Sequence, residues 1–409
     1  MSYCYEGKSQ VVLRKFEGQS GPPVVQNNPD CPVVPYHQIY STSMSGSVDV
    51  AAYPNDISKF FSSLNLNLQM RTLLRMKSGV LFAGGFEYIP YSFSPVLYKS
   101  TDEGKTWTLV NFHGPANVYG IINDLVEDSK GNLYVAGFGF LGKSEDGGNT
   151  WKILPNQISV RHFIILKDDA LLVIAHAYDR NVYKSTDGGL TWNILFKSNN
   201  VGIRSIIEGD NGDLIYSGDD ALMDAYGAPG LSIVFKYSHG QISSVLSYSK
   251  YAPYPLLQVY PLSDFSNSPL LKAKDGTIYF SVSEQKKLGN SFTYPMNVLY
   301  ASSDNGASWK KVGDIWEGWD LGGSIIRLME GSDGSLYAAL PNTKCWGSTI
   351  FKSVDKGRKW SVLSGDVPGL SHALEAIPWS PYGLEAMIEQ GNKILYIVSG
   401  IGGVIFVNP

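Results

Sequence analysis

The sequence is poor in charge, in cysteine and in long apolar runs, and each shortage excludes something. Charged residues fill 17% of its 409 positions, against about a quarter in ordinary soluble domains. The formal net charge is −4, so the chain offers no basic field to nucleic acid or to an anionic membrane. No stretch reaches the ~18 apolar residues of a membrane-spanning helix. The opening Met-Ser-Tyr-Cys-Tyr-Glu-Gly-Lys has no apolar core of a signal peptide. Together these features predict no membrane insertion and no secretory leader. The three cysteines, Cys4, Cys31 and Cys345, are an odd set and do not make a disulfide framework. Cys4 and Cys31 share the N-terminal region and either pair or stay free. The histidines show no metal-ligand spacing and no Gly-x-Ser-x-Gly occurs, so neither metal nor cofactor is predicted.

What is plentiful is glycine (43) and tyrosine (25), a β-rich, polar and uncharged composition. One stretch, Ser185-Thr186-Asp187-Gly188-Gly189-Leu190-Thr191-Trp192, is rewritten along the chain. The pattern S-x-D-x-G-x-x-W returns at Ser100 (Asp102, Gly104, Trp107), Ser144 (Asp146, Gly148, Trp151), Ser302 (Asp304, Gly306, Trp309) and Ser353 (Asp355, Gly357, Trp360). Each position has a structural reason. The Asp carboxylate accepts backbone N–H groups of the residues after it and closes a turn. The Gly supplies a positive φ, the Ser/Thr hydroxyls satisfy leftover backbone groups, and the Trp opens the next strand with a large apolar surface. A calcium loop needs more carboxylates than any copy holds.

The repeat resembles the Asp-box, or BNR, repeat of sialidase-like β-propellers. The resemblance implies an all-β ring of four-stranded blades, with the boxes on one face and the long loops on the other, around a central funnel. Trp107, Trp151 and Trp192 stand one unit apart, whereas Trp192 to Trp309 spans two. The second box there has decayed to Phe235-Lys236-Tyr237-Ser238-His239-Gly240. Counting on, a last unit starts near Leu384 and stops before any box. Seven blades are expected, with six as the runner-up. Residues 47–409 are read as the propeller. The strand-like segment 45–53 is read as supplying the last blade's missing outer strand, because an open edge invites aggregation.

Residues 1–46 lack the repeat and are proline-rich at 20–36. They read as an extended arm through which the protein docks on protein partners, as in a symmetric assembly. Assigning loops by the resemblance puts 85–96, 217–231, 247–267, 283–297, 314–323, 341–347 and 364–382 on the funnel face. They carry Tyr88, Tyr91, Phe93, Trp316, Trp319, Trp346, Trp379 and Tyr382. Such a set is read as a recognition surface for protein or for a stacked glycan.

Arginines and carboxylates bear on catalysis. The Arg-Ile-Pro of sialidases is missing, and Arg161, Arg204 and Arg327 are a weak match to their arginine triad. Endoglucanases with these boxes need two facing carboxylates; Asp124 suits one place, with Glu375 or Glu385 for the other. The resulting expectation is a non-catalytic binding and assembly module, specifically a virion component such as a phage tail or receptor-binding accessory. A glycoside hydrolase or sialidase-like enzyme and a cytosolic assembly factor are the alternatives. The expected location is a virion or an extracellular site reached without a leader, or else the cytoplasm.

Overall fold

A computed structural model gives an all-β propeller with six blades of four strands each. It describes most of residues 68–398, with 10–14, 24–28, 41–43, 49–50 and 404–408 besides. Within the main span, 90–91, 105, 111–119, 156–157, 176–179, 199–200, 221–231, 248–269, 289–291, 318–326, 343–346, 365–383 and 392 lie outside the described residues.

Every blade is an antiparallel meander. Blade 1 holds Leu68–Arg75, Leu81–Ile89, Ser92–Ser100 and Thr108–Leu109. Blade 2 holds Ile122–Glu127, Leu133–Gly137, Phe140–Ser144 and Lys152–Ile153. Blade 3 runs from Val160–Ile165 to Asn193–Lys197, and blade 4 from Val201–Glu208 to Gln241–Ser247. Blade 5 runs from Leu270–Lys272 to Lys310–Glu317, and blade 6 from Arg327–Glu330 to Ser361–Ser364. A further five-stranded sheet has the order Leu384–Gln390, Lys393–Val398, Val404–Asn408, Ser41–Ser43, Asp49–Val50. Chain from near both ends thus shares one sheet. The strand beside Val404–Asn408 is Ser41–Ser43, just before the segment 45–53 expected there.

The second strands are buried on both faces, as Leu133–Gly137 and Leu171–Ala175 are throughout, because each is sandwiched between neighbouring blades. One blade's alternate residues meet the next blade's. Phe82 and Leu97 of blade 1 pack with Ile122, Leu125 and Phe140 of blade 2, and Trp151 closes that cluster.

A polar clasp runs from blade to blade below this apolar layer. The turn after blade 1's first strand gives the Lys77 N–H to Glu127 Oε2 of blade 2 at 2.8 Å, while Lys77 Nζ reaches the Asp128 carbonyl. The arrangement returns as Lys167 on Glu208 and Gly209 and as Lys274 on Glu330 and Gly331. From blade 6 to the five-stranded sheet, the Ser332 N–H donates to Glu389 Oε2 at 2.6 Å.

Several expectations about local structure need correction. The stretches 85–96 and 283–297, read as loops, are mostly strand. The first belongs to the hairpin Leu81–Ile89 with Ser92–Ser100, and the second to Ile278–Leu288 with Phe292–Ser302. Both hairpins grow beyond their blades because each strand supplies the hydrogen-bond partners of the other, while blade 2's equivalent stops at Gly137 and Phe140. Trp316 likewise lies in a strand, opposite Asn297. In the N-terminal region, Gln10–Arg14 pairs with Val24–Asn28. Pro22, Pro23 and Pro29 flank that ladder without entering it, so its N–H groups are intact.

Candidate functional site

The boxes lie at the clasp end of the blades, between third and fourth strands. In the third box the Asp187 carboxylate accepts from the Leu190 and Thr191 N–H groups and from the Thr191 and Ser185 hydroxyls. The Ser185 hydroxyl accepts the Gly189 N–H at 2.9 Å, and the Trp192 indole N–H donates to the Gly189 carbonyl. The bonds from the Thr or Ser N–H and hydroxyl four residues on recur at Asp102, Asp146 and Asp304. Asp355 accepts the Lys359 N–H and the Ser353 hydroxyl, and it has no hydroxyl partner at 359, where Lys replaces the Thr or Ser. Hydrogen bonds from the Thr191 and Ser308 side chains, followed by their backbone N–H groups, hold Asp187 and Asp304 down at about 2.

Two features of the box go beyond its sequence. The residue before each Gly is also left-handed, as at Glu103 (φ 62°), Asn305 (56°) and Lys356 (61°). The Gly also touches the preceding blade: a Cβ on Gly189 would stand 2.6 Å from Leu154 Cδ1. In blade 4 the decayed box is a two-residue turn, His239-Gly240, with both residues at positive φ, a hairpin form that needs no Asp.

At the opposite end the first strands of blades 1–4 and of the five-stranded sheet carry a β-bulge. The register skips Arg71 in blade 1, Asn123 in blade 2, Arg161 in blade 3, Arg204 in blade 4 and Glu385 in the five-stranded sheet. Bulges re-aim side chains and loosen pairing. Arg161 and Arg204 of the expected arginine set therefore share a register position. Arg327 sits one position later, in blade 6, and Arg71 takes a place that sequence reasoning missed.

Asp124 spans blades 2 and 3. Its Oδ2 accepts the Phe163 N–H at 3.0 Å and lies 2.7 Å from His162 Nδ1, while Oδ1 accepts the Leu125 N–H. Beside it Asn123 Nδ2 donates to the Val160 carbonyl. Blade 2 thereby satisfies backbone groups in blade 3's bulge.

Of the expected recognition residues, Tyr88 and Phe93 are described on blade 1's hairpin, 48% and 41% exposed. They stand opposite each other in register, with ring centroids 5.7 Å apart. Phe93 also meets Phe86 edge-on at 5.1 Å, and the Arg71 guanidinium lies 5.4 Å from the Phe86 centroid. The structure adds Phe138, 52% exposed, on the two-residue turn of blade 2. The Phe138-Gly139 pair between two short strands was the available signal for it. Tyr91, Trp319, Trp346, Trp379, Tyr382 and Glu375 lie outside the described residues, and of Trp316 only the backbone is described.

No protein-family model matches the chain, and no curated protein matches it. Among solved structures it is similar to one described as YCF48 bound to D1 peptide, with a TM-score of 0.56 at 13% identity, over 92% of this chain and 97% of that one. It is also similar to virginiamycin B lyase from Staphylococcus aureus, with a TM-score of 0.51 at 11% identity, over 84% of this chain and 96% of that one. Likeness at such low identity speaks for architecture alone, and on that ground the chain has the fold of a β-propeller.

Proposed function

We propose that the chain is a non-catalytic binding and assembly module that recognises its partner on the funnel face. One observation carries the reading: the exposed aromatic residues among the described positions, Tyr88, Phe93 and Phe138, gather at adjacent hairpin ends of blades 1 and 2. Exposed aromatic clusters of this kind are typical interface anchors. Asp124, the carboxylate best placed for acid–base work, is engaged in joining blades 2 and 3. The solved YCF48 structure holds a peptide, which supports a peptide-binding use of the fold. The low charge and the proline-rich N-terminal region suit a virion component such as a phage tail accessory, with that region as its attachment.

The five-stranded sheet acts in this reading as a seventh blade. Its first strand accepts the Ser332 clasp on Glu389, and its Ala386 and Ile388 pack with Leu68 and Leu73 of blade 1. Incubation with sialosides and with neutral plant polysaccharides tests the module reading. We expect no product. Turnover that Asp124→Asn abolishes would replace the reading with a glycoside hydrolase.

A further inference from the structure

The turn after each blade's first strand is closed by a pair of backbone bonds, with blade 4 as the exception. In blades 1, 2, 3, 5 and 6 the residue that opens the turn (Met76, Asp128, Leu166, Ala273 or Gly331) uses both its groups. Its N–H donates to the carbonyl four residues on, and its carbonyl accepts the N–H three residues on. Blade 4 keeps the first bond, from the Gly209 N–H to the Asp213 carbonyl at 2.7 Å. The second would come from Gly212, and among the described residues no hydrogen bond engages the Gly212 N–H. Before it stands Asn211, exposed, whose carboxamide is likewise held by no hydrogen bond among the described residues.

We propose that the fold leaves Asn211 open to spontaneous deamidation, and that the isoaspartate formed there slackens the contacts between blades 3, 4 and 5. The Gly212 nitrogen bonds to Asn211 Cγ as its proton passes to solvent base. The carboxamide nitrogen takes a proton from solvent and leaves as ammonia. Water then opens the cyclic imide at one carbonyl or the other, giving aspartate or isoaspartate. Three conditions for this meet at one turn. The attacking N–H has no acceptor to give up, Gly212 brings no Cβ to obstruct ring closure, and both residues are exposed to solvent.

The chain's other Asn-Gly step, Asn305-Gly306 in the box of blade 5, is guarded on both sides. The Gly306 N–H donates to Ser302 Oγ at 2.9 Å. Asn305 Oδ1 accepts the Asp210 N–H at 2.8 Å, and Nδ2 donates to Asp213 Oδ2 at 3.2 Å. Attack there waits for local opening of these bonds. The same dipeptide thus meets two different fates, decided by tertiary contacts.

The position of Asn211 gives the modification its consequence. Lys167 of blade 3 donates to the Gly209 carbonyl at 3.0 Å, and Lys272 of blade 5 lies 2.6 Å from Asp210 Oδ1. Isoaspartate inserts an extra backbone carbon between these anchors and Asp213, which holds Lys236 at 2.8 Å. Aspartate at 211 adds charge without lengthening the turn.

The test ages the full chain at mildly alkaline pH, folded or in urea, and follows tryptic peptides 205–236 and 288–310 by mass spectrometry. The readouts are exchange of NH3 for H2O and labelling by an isoaspartyl methyltransferase. In the folded chain Asn211 should react about tenfold or more faster than Asn305, and in urea the two should react at similar rates. Asn211→Gln, which would have to close a larger ring, should lose the signal at 211 at an unchanged melting temperature. The purified isoaspartyl chain should melt below Asn211→Asp. An Asn211 that reacts in urea but not in the folded chain overturns the proposal, as does an Asn305 that keeps pace with it when folded. A rate difference that persists in urea also overturns it, because neighbouring sequence and not the fold then selects the site. Equal melting of the isoaspartyl chain and Asn211→Asp overturns the effect on the blade contacts.

Discussion

At the scale of single residues, the box aspartate and glycine act on different partners. Asp187 closes its own turn with four hydrogen bonds. Asp187→Ala should therefore lower the melting temperature without altering ligand preference, which parallel melting and binding measurements would show. Gly189 meets two demands at once, a φ of 91° and close approach to Leu154. Gly189→Val violates both and should cost about 2 kcal/mol or more, read from denaturant midpoints. A cost below that of Asp187→Ala would contradict the contact with the preceding blade. The carboxylates also set a pH dependence. Asp187 and Asp304 stand at about 2 in the folded chain against an ordinary 3.8. A lowered folded value means stabilisation that is complete above the ordinary value and lost as pH falls through about 2. The denaturant midpoint should hold steady down to about pH 5 and fall steeply below pH 4, and Asp187→Asn should flatten part of that fall.

At the scale of the element, the clasp and the hairpin lengths matter most. Glu330 ends a first strand and accepts the Lys274 N–H from blade 5 at 2.7 Å. Glu330→Ala leaves that N–H without its acceptor and should cost about 1 kcal/mol; Glu330→Gln, which keeps an oxygen there, should cost less. Equal losses in chemical denaturation would mean that charge and not the hydrogen bond joins the blades. The turn and strand types were legible beforehand, because Asp, Gly and Trp state their roles within a few consecutive residues. Hairpin length was not. The segments 85–96 and 283–297 resemble loops in composition, with Gly, Ser and Pro among aromatics. They extend as strands because each hairpin partner supplies the missing hydrogen bonds, a pairing invisible in either strand alone.

At the scale of the whole molecule, one five-stranded sheet joins chain from near both ends. Ser41–Ser43 covers the edge of Val404–Asn408, and a bare edge of that strand would pair with other chains. Removing residues 1–44 should cause aggregation, whereas removing 1–40 should leave a soluble ring, as judged by size-exclusion chromatography. Equal solubility of the two truncations would show that Ser41–Ser43 does not protect the ring.

The all-β class, the repeating blade, the turn at each box and the low charge are legible in the sequence. Those follow from local chemistry, a carboxylate reaching N–H groups three and four residues on and a glycine at positive φ. The fold alone brings Gly120 between the Phe93 strand and the Phe138 turn, sets Asp124 on blade 3's bulge, and gives Arg71, Arg161 and Arg204 one register. The physical reason is that these juxtapositions depend on where neighbouring blades begin and end relative to each other. That relation is set by packing between segments far apart in the chain, and no short pattern of residues encodes it.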